Sequence, residues 1–241
     1  MRSGSIIWTG ENLSESPILM EYNIRVPPGE SGKREIKALV EYHYLGNANP
    51  DTKYADPDTI FLRSPQLPFS ENFNDGQAQL FREISGRWQL GRYRALSQSP
   101  EEMALSLLPE LDLPEQWIFK ATINVGTDGY FRNGLLIFDY QSMDDFKFVQ
   151  AAVGSRQWFI GQKDMDGFNI LAEVGDESMA VNTDYVMKVT VDNGGVGLWV
   201  NGEFKLSHRF DDELNGPIGL GNRLSETRFD DVSVNEPEAS V

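Results

Sequence analysis

Glu71-Asn72-Phe73-Asn74-Asp75-Gly76 is the stretch at which the chain changes character, from an irregular segment punctuated by proline into a run of regularly spaced short apolar stretches. We read it as the first strand of a β-sandwich closed by the Asp75-Gly76 turn. Its counterpart is Arg228-Phe229-Asp230-Asp231-Val232-Ser233-Val234 near the C-terminus. A sandwich of this kind lays its first and last strands side by side, and that pairing is the main structural expectation.

Between these two stretches the side-chain pattern has period two, which puts alternate residues on opposite faces of a strand. Trp117, Phe119, Ala121, Ile123 and Val125 alternate with mostly polar residues, as do Tyr185, Met187, Val189 and Val191. Leu135 to Tyr140 is apolar on both faces and reads as a central strand. Phe146 to Val153, Gln157 to Gly161, Asn169 to Val174, Val196 to Val200, Ile218 to Leu220 and Phe229 to Val234 complete the set. Asn201-Gly202 is a type I′ hairpin signal, since both central residues of that turn need positive φ. The hairpin sets Trp199 opposite Phe204, and simple alternation then puts Trp199, Phe204 and Leu206 on one face, expected to be the core. Pro100 to Leu108, with Glu101 and Glu102 near its start, is the one stretch that reads as a helix or a loop across the sheet. No strand-helix-strand series is present, so the fold class is all-β.

Residues 1–48 read as a small N-terminal β segment, with strands at Ser5 to Thr9, Ile18 to Val26 and Glu35 to Tyr44. Residues 49–68, rich in Pro, Asp and Asn, read as a linker, residues 69–236 as the sandwich, and residues 237–241 as a tail.

The 241 residues carry 21 basic and 37 acidic side chains, a formal charge of −16 that disfavours nucleic acid and anionic membrane surfaces as partners. There is no cysteine, which removes disulfides, thiolate metal sites and a cysteine nucleophile. His43 and His208 have no histidine or cysteine neighbour in sequence that would make a zinc pattern. No segment approaches the ~20 apolar residues of a membrane-spanning helix, and the N-terminus lacks the apolar stretch of a signal peptide. The expected setting is extracellular or on a cell surface, as a fragment of a longer chain with upstream domains.

The segments FSENFNDGQAQLFREISGRWQLGRYRA (69–95), GLLIFDYQSMDDFKFVQ (134–150), YVMKVTVDNGGVGLWVNGEFKL (185–206), GPIGLGN (216–222) and RFDDVSV (228–234) resemble, in order and spacing, the concanavalin A-like jelly rolls of the laminin-G-like and laminarinase-like superfamily. The resemblance implies a two-sheet antiparallel jelly-roll sandwich with any sugar site on the concave face or its rim loops. Residues 8–42 resemble the closing strands of the immunoglobulin-like repeats of large bacterial and archaeal surface proteins. Jelly-roll carbohydrate-binding modules place a structural Ca²⁺ between first and last strands; Asn72, Asp75, Asp230 and Asp231 are the matching oxygen donors.

A sugar site needs an aromatic platform with polar groups around it. Tyr130, Tyr140, Asp144, Asp145, Arg156 and Trp158 are the candidates, because they fall on one pair of strands and its connecting loops. Laminarinase-like glycosidases carry Glu-x-Asp-x-x-Glu on one strand, where alternation aligns the carboxylates for acid and nucleophile roles. No such catalytic strand is expected here, since Glu173-Val174-Gly175-Asp176-Glu177 and Asp211-Asp212-Glu213 have the wrong spacing and read as turns; the expectation is a non-catalytic carbohydrate-binding or adhesion module, with an architectural spacer or a glycosidase or lyase of the same fold as alternatives.

Overall fold

A computed structural model of the chain describes residues 67–237, apart from 77, 79, 91–94, 99–102, 109, 110 and 112, together with four strands within residues 32–62. The N-terminal strands are β1 (Gly32–Ile36), β2 (Leu39–Tyr42), β3 (Asp51–Tyr54) and β4 (Asp58–Leu62). β1 pairs with β4 and β2 with β3, both antiparallel, so β3 and β4 return along β2 and β1. Part of the stretch read as a linker is therefore paired strand. Thr52, Tyr54 and the run Thr59-Ile60-Phe61-Leu62 are good strand formers, and the Pro and Asp residues around them obscured that signal. The strands expected at Ser5 to Thr9 and Ile18 to Val26 lie outside the described residues.

The sandwich begins with β5 (Phe69–Glu71), followed by β6 (Arg82–Ser85), β7 (Arg87–Leu90), β8 (Ala95–Gln98), β9 (Met103–Leu107), β10 (Gln116–Gly129), β11 (Asn133–Ser142) and β12 (Asp145–Ala152). It continues through β13 (Gln157–Asp164), β14 (Gly167–Gly175), β15 (Asp184–Asp192), β16 (Gly195–Val200), β17 (Glu203–Arg209), β18 (Gly219–Arg223) and β19 (Ser225–Asn235). One sheet has the order β17-β16-β15-β10-β19-β8-β7, with β5 also paired to β19; the other has the order β14-β13-β12-β11-β18-β9-β6. The two antiparallel sheets form the expected all-β jelly-roll sandwich.

The first and last strands pair as expected, but the first lies earlier than the stretch read as strand: Phe69, Ser70 and Glu71 lie opposite Val234, Ser233 and Val232, and of Glu71 to Gly76 only Glu71 is in the strand. Beyond β5 the chain turns tightly. The Glu71 carboxylate accepts the Phe73 N–H at 2.7 Å, Asn72 Oδ1 accepts the Asn74 N–H at 3.1 Å, and Gly76 N–H donates to the Phe73 carbonyl at 3.1 Å. The turn drives the Phe73 ring into the core, 5.7 Å from the Phe81 ring.

The expected alternation holds on the long strands. Trp117, Phe119, Ala121, Ile123 and Val125 are wholly buried from β10, and they face Leu136, Phe138, Val149, Ala151, Trp158 and Ile160 of the other sheet. Each such large apolar side chain contributes about 1.5–3 kcal/mol through burial. β11 is central, between β12 and β18, and apolar on both faces as predicted: Leu136 and Phe138 enter the main core, Leu135 and Ile137 a second cluster.

Two expectations are corrected. Within the stretch read as a helix or a loop, residues 103–107 form strand β9, all five buried, between β18 and β6. Burial on both faces produces a continuous apolar run, which carries no period to separate strand from helix. The Asn201-Gly202 turn has both residues at positive φ, and Trp199 does pair with Phe204. A bulge then puts Leu206 opposite Leu198, on the inner face, and leaves Trp199 and Phe204 on the outer one. Trp199 is half-buried and Phe204 is exposed, their rings 5.3 Å apart, with Lys188 Nζ 4.5 Å from the Trp199 ring. The inner face of β16 belongs to Val196, Leu198 and Val200, whose period outweighs the bulk of one tryptophan.

Candidate functional site

The outer face of the seven-stranded sheet is apolar. Met103, Leu105, Leu107, Leu135, Ile137, Phe146 and Phe148 are buried there, with Ile84, Tyr140, Met143 and Phe168 packed against them. The Phe168 ring lies edge-on to Phe146 at 6.2 Å and to Phe148 at 5.5 Å. A face filled by its own hydrocarbon leaves the polar work to the loops at the two ends of the strands.

The six sugar-site candidates divide between those ends. β11 runs from Asn133 at one end to Ser142 at the other, a span of roughly 30 Å at ~3.4 Å per residue. Tyr140, Asp144 and Asp145 lie at the Ser142 end, where the β11–β12 turn is pinned by an ion pair between Asp144 and buried Lys163. Tyr140 stacks on Phe146 at 6.1 Å. Burial pushes its phenol up from the usual tyrosine range, Arg82 opposing and Asp144 adding. Tyr130 and Arg156 lie at the Asn133 end. Trp158 belongs to neither group. It is wholly buried, edge-on to Tyr185 at 5.4 Å, and its indole N–H donates to Asp176 Oδ2 at 3.0 Å. It is a core residue and offers no platform.

That Asp176 carboxylate also accepts from the Ser178 hydroxyl at 2.5 Å and pairs with Lys205 at 3.2 Å. The Ser178 hydroxyl, then the Trp158 indole, and beyond them Lys205 hold it well below the usual carboxylate range against the opposing effect of burial. The cluster ties the end of β14 to β17 and is structural.

The Asn133 end is built by three loops. Gly129, at φ +105°, passes so close to the β18–β19 turn that a Cβ there would stand 2.3 Å from the Leu224 carbonyl oxygen and 2.5 Å from Ser225 Cα. With that approach, the N–H groups of Tyr130 and Phe131 both donate to the Leu224 carbonyl, at 2.7 and 3.3 Å. Asn133 locks the same two loops: its side chain donates to the Arg223 carbonyl at 3.1 Å and accepts the Arg223 N–H at 2.9 Å. The third loop joins through Gly154, whose N–H donates to the Arg132 carbonyl at 3.1 Å.

On this rim the Tyr130 side chain stands 81% exposed, its ring edge-on to Phe131 at 4.8 Å. The guanidinium carbon of Arg223 lies 4.5 Å from the Phe131 ring and 4.6 Å from the Phe168 ring. Its Nε is buried without a hydrogen-bond partner, and among the described residues no carboxylate pairs with it. Arg132 is on the same rim at φ +50°, while Arg156 is engaged by Glu177 at 2.8 Å. Phe131, Phe168 and Arg223 were not singled out from the sequence. Phe168 and Arg223 are about 55 residues apart along the chain, and only the folding of the sheet brings them together.

Of the four oxygen donors named for calcium, Asp230 Oδ1 accepts the Asp231 N–H at 2.8 Å and Asn72 closes its own turn. Among the described residues no three His, Cys, Asp or Glu side chains gather in one group.

No known protein family and no curated protein matches the sequence. Solved structures do match in shape. The chain is similar to the carbohydrate-binding module CBM66 from Bacillus subtilis, with a TM-score of 0.59 and 12% identity over 65% of this chain and 96% of that one. The fold is that of the lectin-like jelly rolls. It is similar also to the Emp46p carbohydrate recognition domain in its potassium-bound form, with a TM-score of 0.55 and 10% identity over 70% and 96% of the two chains. A third, the exoplasmic/lumenal domain of VIP36 in its Ca²⁺/Man3GlcNAc-bound form, gives 0.50 and 8% identity over 72% and 92%.

Proposed function

We propose that the jelly roll is a non-catalytic carbohydrate-binding module of an extracellular or surface protein, and that sugar is seated on the rim around Tyr130. The observation that carries this reading is the exposure of the Tyr130 ring on a loop whose backbone is fixed by the Leu224 carbonyl and the Gly129 contact. An aromatic face that is both exposed and held in place stacks on a pyranose ring without a large ordering cost. Arg132 and Arg223 supply hydrogen-bond donors beside it. The names of the similar structures, a carbohydrate-binding module and a carbohydrate recognition domain, support the same reading. Binding is favoured over hydrolysis because the Glu-x-Asp-x-x-Glu spacing at Glu110-Leu111-Asp112-Leu113-Pro114-Glu115 is broken by a proline and its described residues, Leu111, Leu113, Pro114 and Glu115, lie outside any strand, while the Asp139 and Asp176 carboxylates are consumed by structural contacts.

The test is a glycan array with the full chain and with Tyr130→Ala, in calcium and in EDTA. Hits by the parent chain that disappear in the variant support the site. A blank array with folded protein leaves the architectural spacer in place of the lectin. The EDTA arm, with a melt beside it, reads the calcium expectation: a fall in melting temperature would return Asn72, Asp75, Asp230 and Asp231 to consideration as ligands, with backbone carbonyls completing the shell.

A further inference from the structure

The chain carries 16 more negative than positive charges, so an anion should be a poor ligand over most of its surface. The rim around Tyr130 is built against that trend. The Arg223 guanidinium carbon lies over two phenylalanine rings, about 4.5 Å from each centroid, and Asn133 clamps its backbone through two hydrogen bonds. Phe131 is itself fixed through its N–H to the Leu224 carbonyl. A guanidinium held in this way has little rotamer freedom left to lose on binding. The flanking rings also strip water from its faces, which strengthens any ion pair made at its edge.

Among the described residues nothing pairs with that edge. No described carboxylate pairs with Arg223 or with Arg132, although the sequence holds 37 acidic residues. The nearest acidic side chain along the loop, Asp128, is exposed and accepts a hydrogen bond from Thr127. Two other described arginines are engaged by carboxylates, Arg156 by Glu177 and Arg228 by Glu226. Arg223 is preorganised and, among the described residues, without a carboxylate partner, with an exposed tyrosine one ring away across Phe131.

Resting on the carbohydrate reading above, we propose that this rim selects acidic sugars, with Arg223 presenting its planar fork to a sugar carboxylate while the same saccharide stacks on Tyr130. A planar carboxylate matches the guanidinium fork in two parallel hydrogen bonds, and a lysine at the position supplies charge without that geometry. Arg132 adds a second positive charge to the seat.

The test is calorimetric titration of the full chain with galacturonic and glucuronic acid oligosaccharides, each beside its carboxyl-reduced neutral counterpart and beside a sulfated neutral oligosaccharide of equal length. The variants are Arg223→Lys, Arg223→Gln and Tyr130→Ala, each checked by a thermal melt. The expected result is a preference for the uronic acid over its reduced form of about 10- to 100-fold, lost in Arg223→Gln and largely lost in Arg223→Lys. Its affinity falls with added salt, and Tyr130→Ala weakens acidic and neutral sugars alike. Equal affinity for acidic and reduced sugars, or a preference untouched by Arg223→Gln in a folded variant, overturns the acidic-sugar assignment and leaves the carbohydrate reading standing. A preference for the sulfated sugar over the uronic acid overturns the carboxylate match. If none of these sugars nor any array glycan binds, the carbohydrate reading itself fails and this inference with it.

Discussion

Asp139→Asn is the most informative single substitution for stability, because it removes one charge from a buried pair while keeping the shape of the side chain. Asp139 lies at φ +50°, a conformation that asparagine accepts as readily as aspartate, so the backbone is undisturbed. Its carboxylate takes Lys147 Nζ at 2.5 Å, Gly216 N–H at 3.2 Å and Gln141 Nε2 at 3.2 Å, and both charged side chains are under one-tenth exposed. Removing one partner of a buried ion pair leaves an uncompensated charge and costs about 3–5 kcal/mol. Lys147 keeps a second partner, Asp212 at 3.2 Å, whose side chain is 73% exposed, so the expected loss is at the lower end, about 3 kcal/mol. For a domain of this size that lowers the melting temperature by about 6–12 °C. The double variant Asp139→Asn, Lys147→Met should recover most of it, because the Phe210 ring, 5.5 Å from Lys147 Nζ, gives the methionine an apolar neighbour. Urea unfolding followed by tryptophan fluorescence is the assay. Trp117 lies 6.2 Å from Phe138, the residue beside Asp139, and reports on this region. A loss below about 1 kcal/mol, or a double variant no better than the single one, refutes the reasoning. The pair also has a pH signature. Burial pulls Lys147 down, but its hydrogen bonds and charge contacts with Asp139 and then Asp212 outweigh this and raise it. Its contribution is therefore complete below the unfolded lysine value and is lost as pH rises through the higher folded one.

Three further outcomes follow from the geometry. Gly129→Ala forces a Cβ against Leu224 and Ser225 at positive φ, and should cost at least about 2 kcal/mol in urea unfolding and abolish glycan binding. Asp176, held low by its hydrogen bonds, contributes fully above the unfolded carboxylate value; acid titration of stability should show that contribution fading from about pH 4 downward, and Asp176→Asn should flatten the fall. Trp117→Ala should cost about 3–5 kcal/mol by thermal or urea melts, and Trp199→Ala less than half of that, since only the first fills the core.

The sequence by itself determined the class of fold. Period-two alternation in β10 and β15 and the Asn201-Gly202 turn were legible, because each depends on local side-chain spacing or turn chemistry, while the first strand was read as Glu71 to Gly76 and forms at Phe69–Glu71, where it pairs with Val232–Val234. Where local signals stop, the tertiary structure decided. β9 carries no period because both of its faces are covered, and the bulge that turns Leu206 inward and leaves Trp199 outside is set by packing against Leu198. The candidate site shows the same division. Tyr130 was legible as an aromatic beside a turn, and Trp158 was misread as a platform because burial is not written in residue type. Arg223 acquires its meaning only when segments distant in sequence bring the Phe131 and Phe168 rings within 4.6 Å of its guanidinium. Composition gives the charge of a guanidinium; only the fold determines whether that charge is already neutralised or left for a ligand.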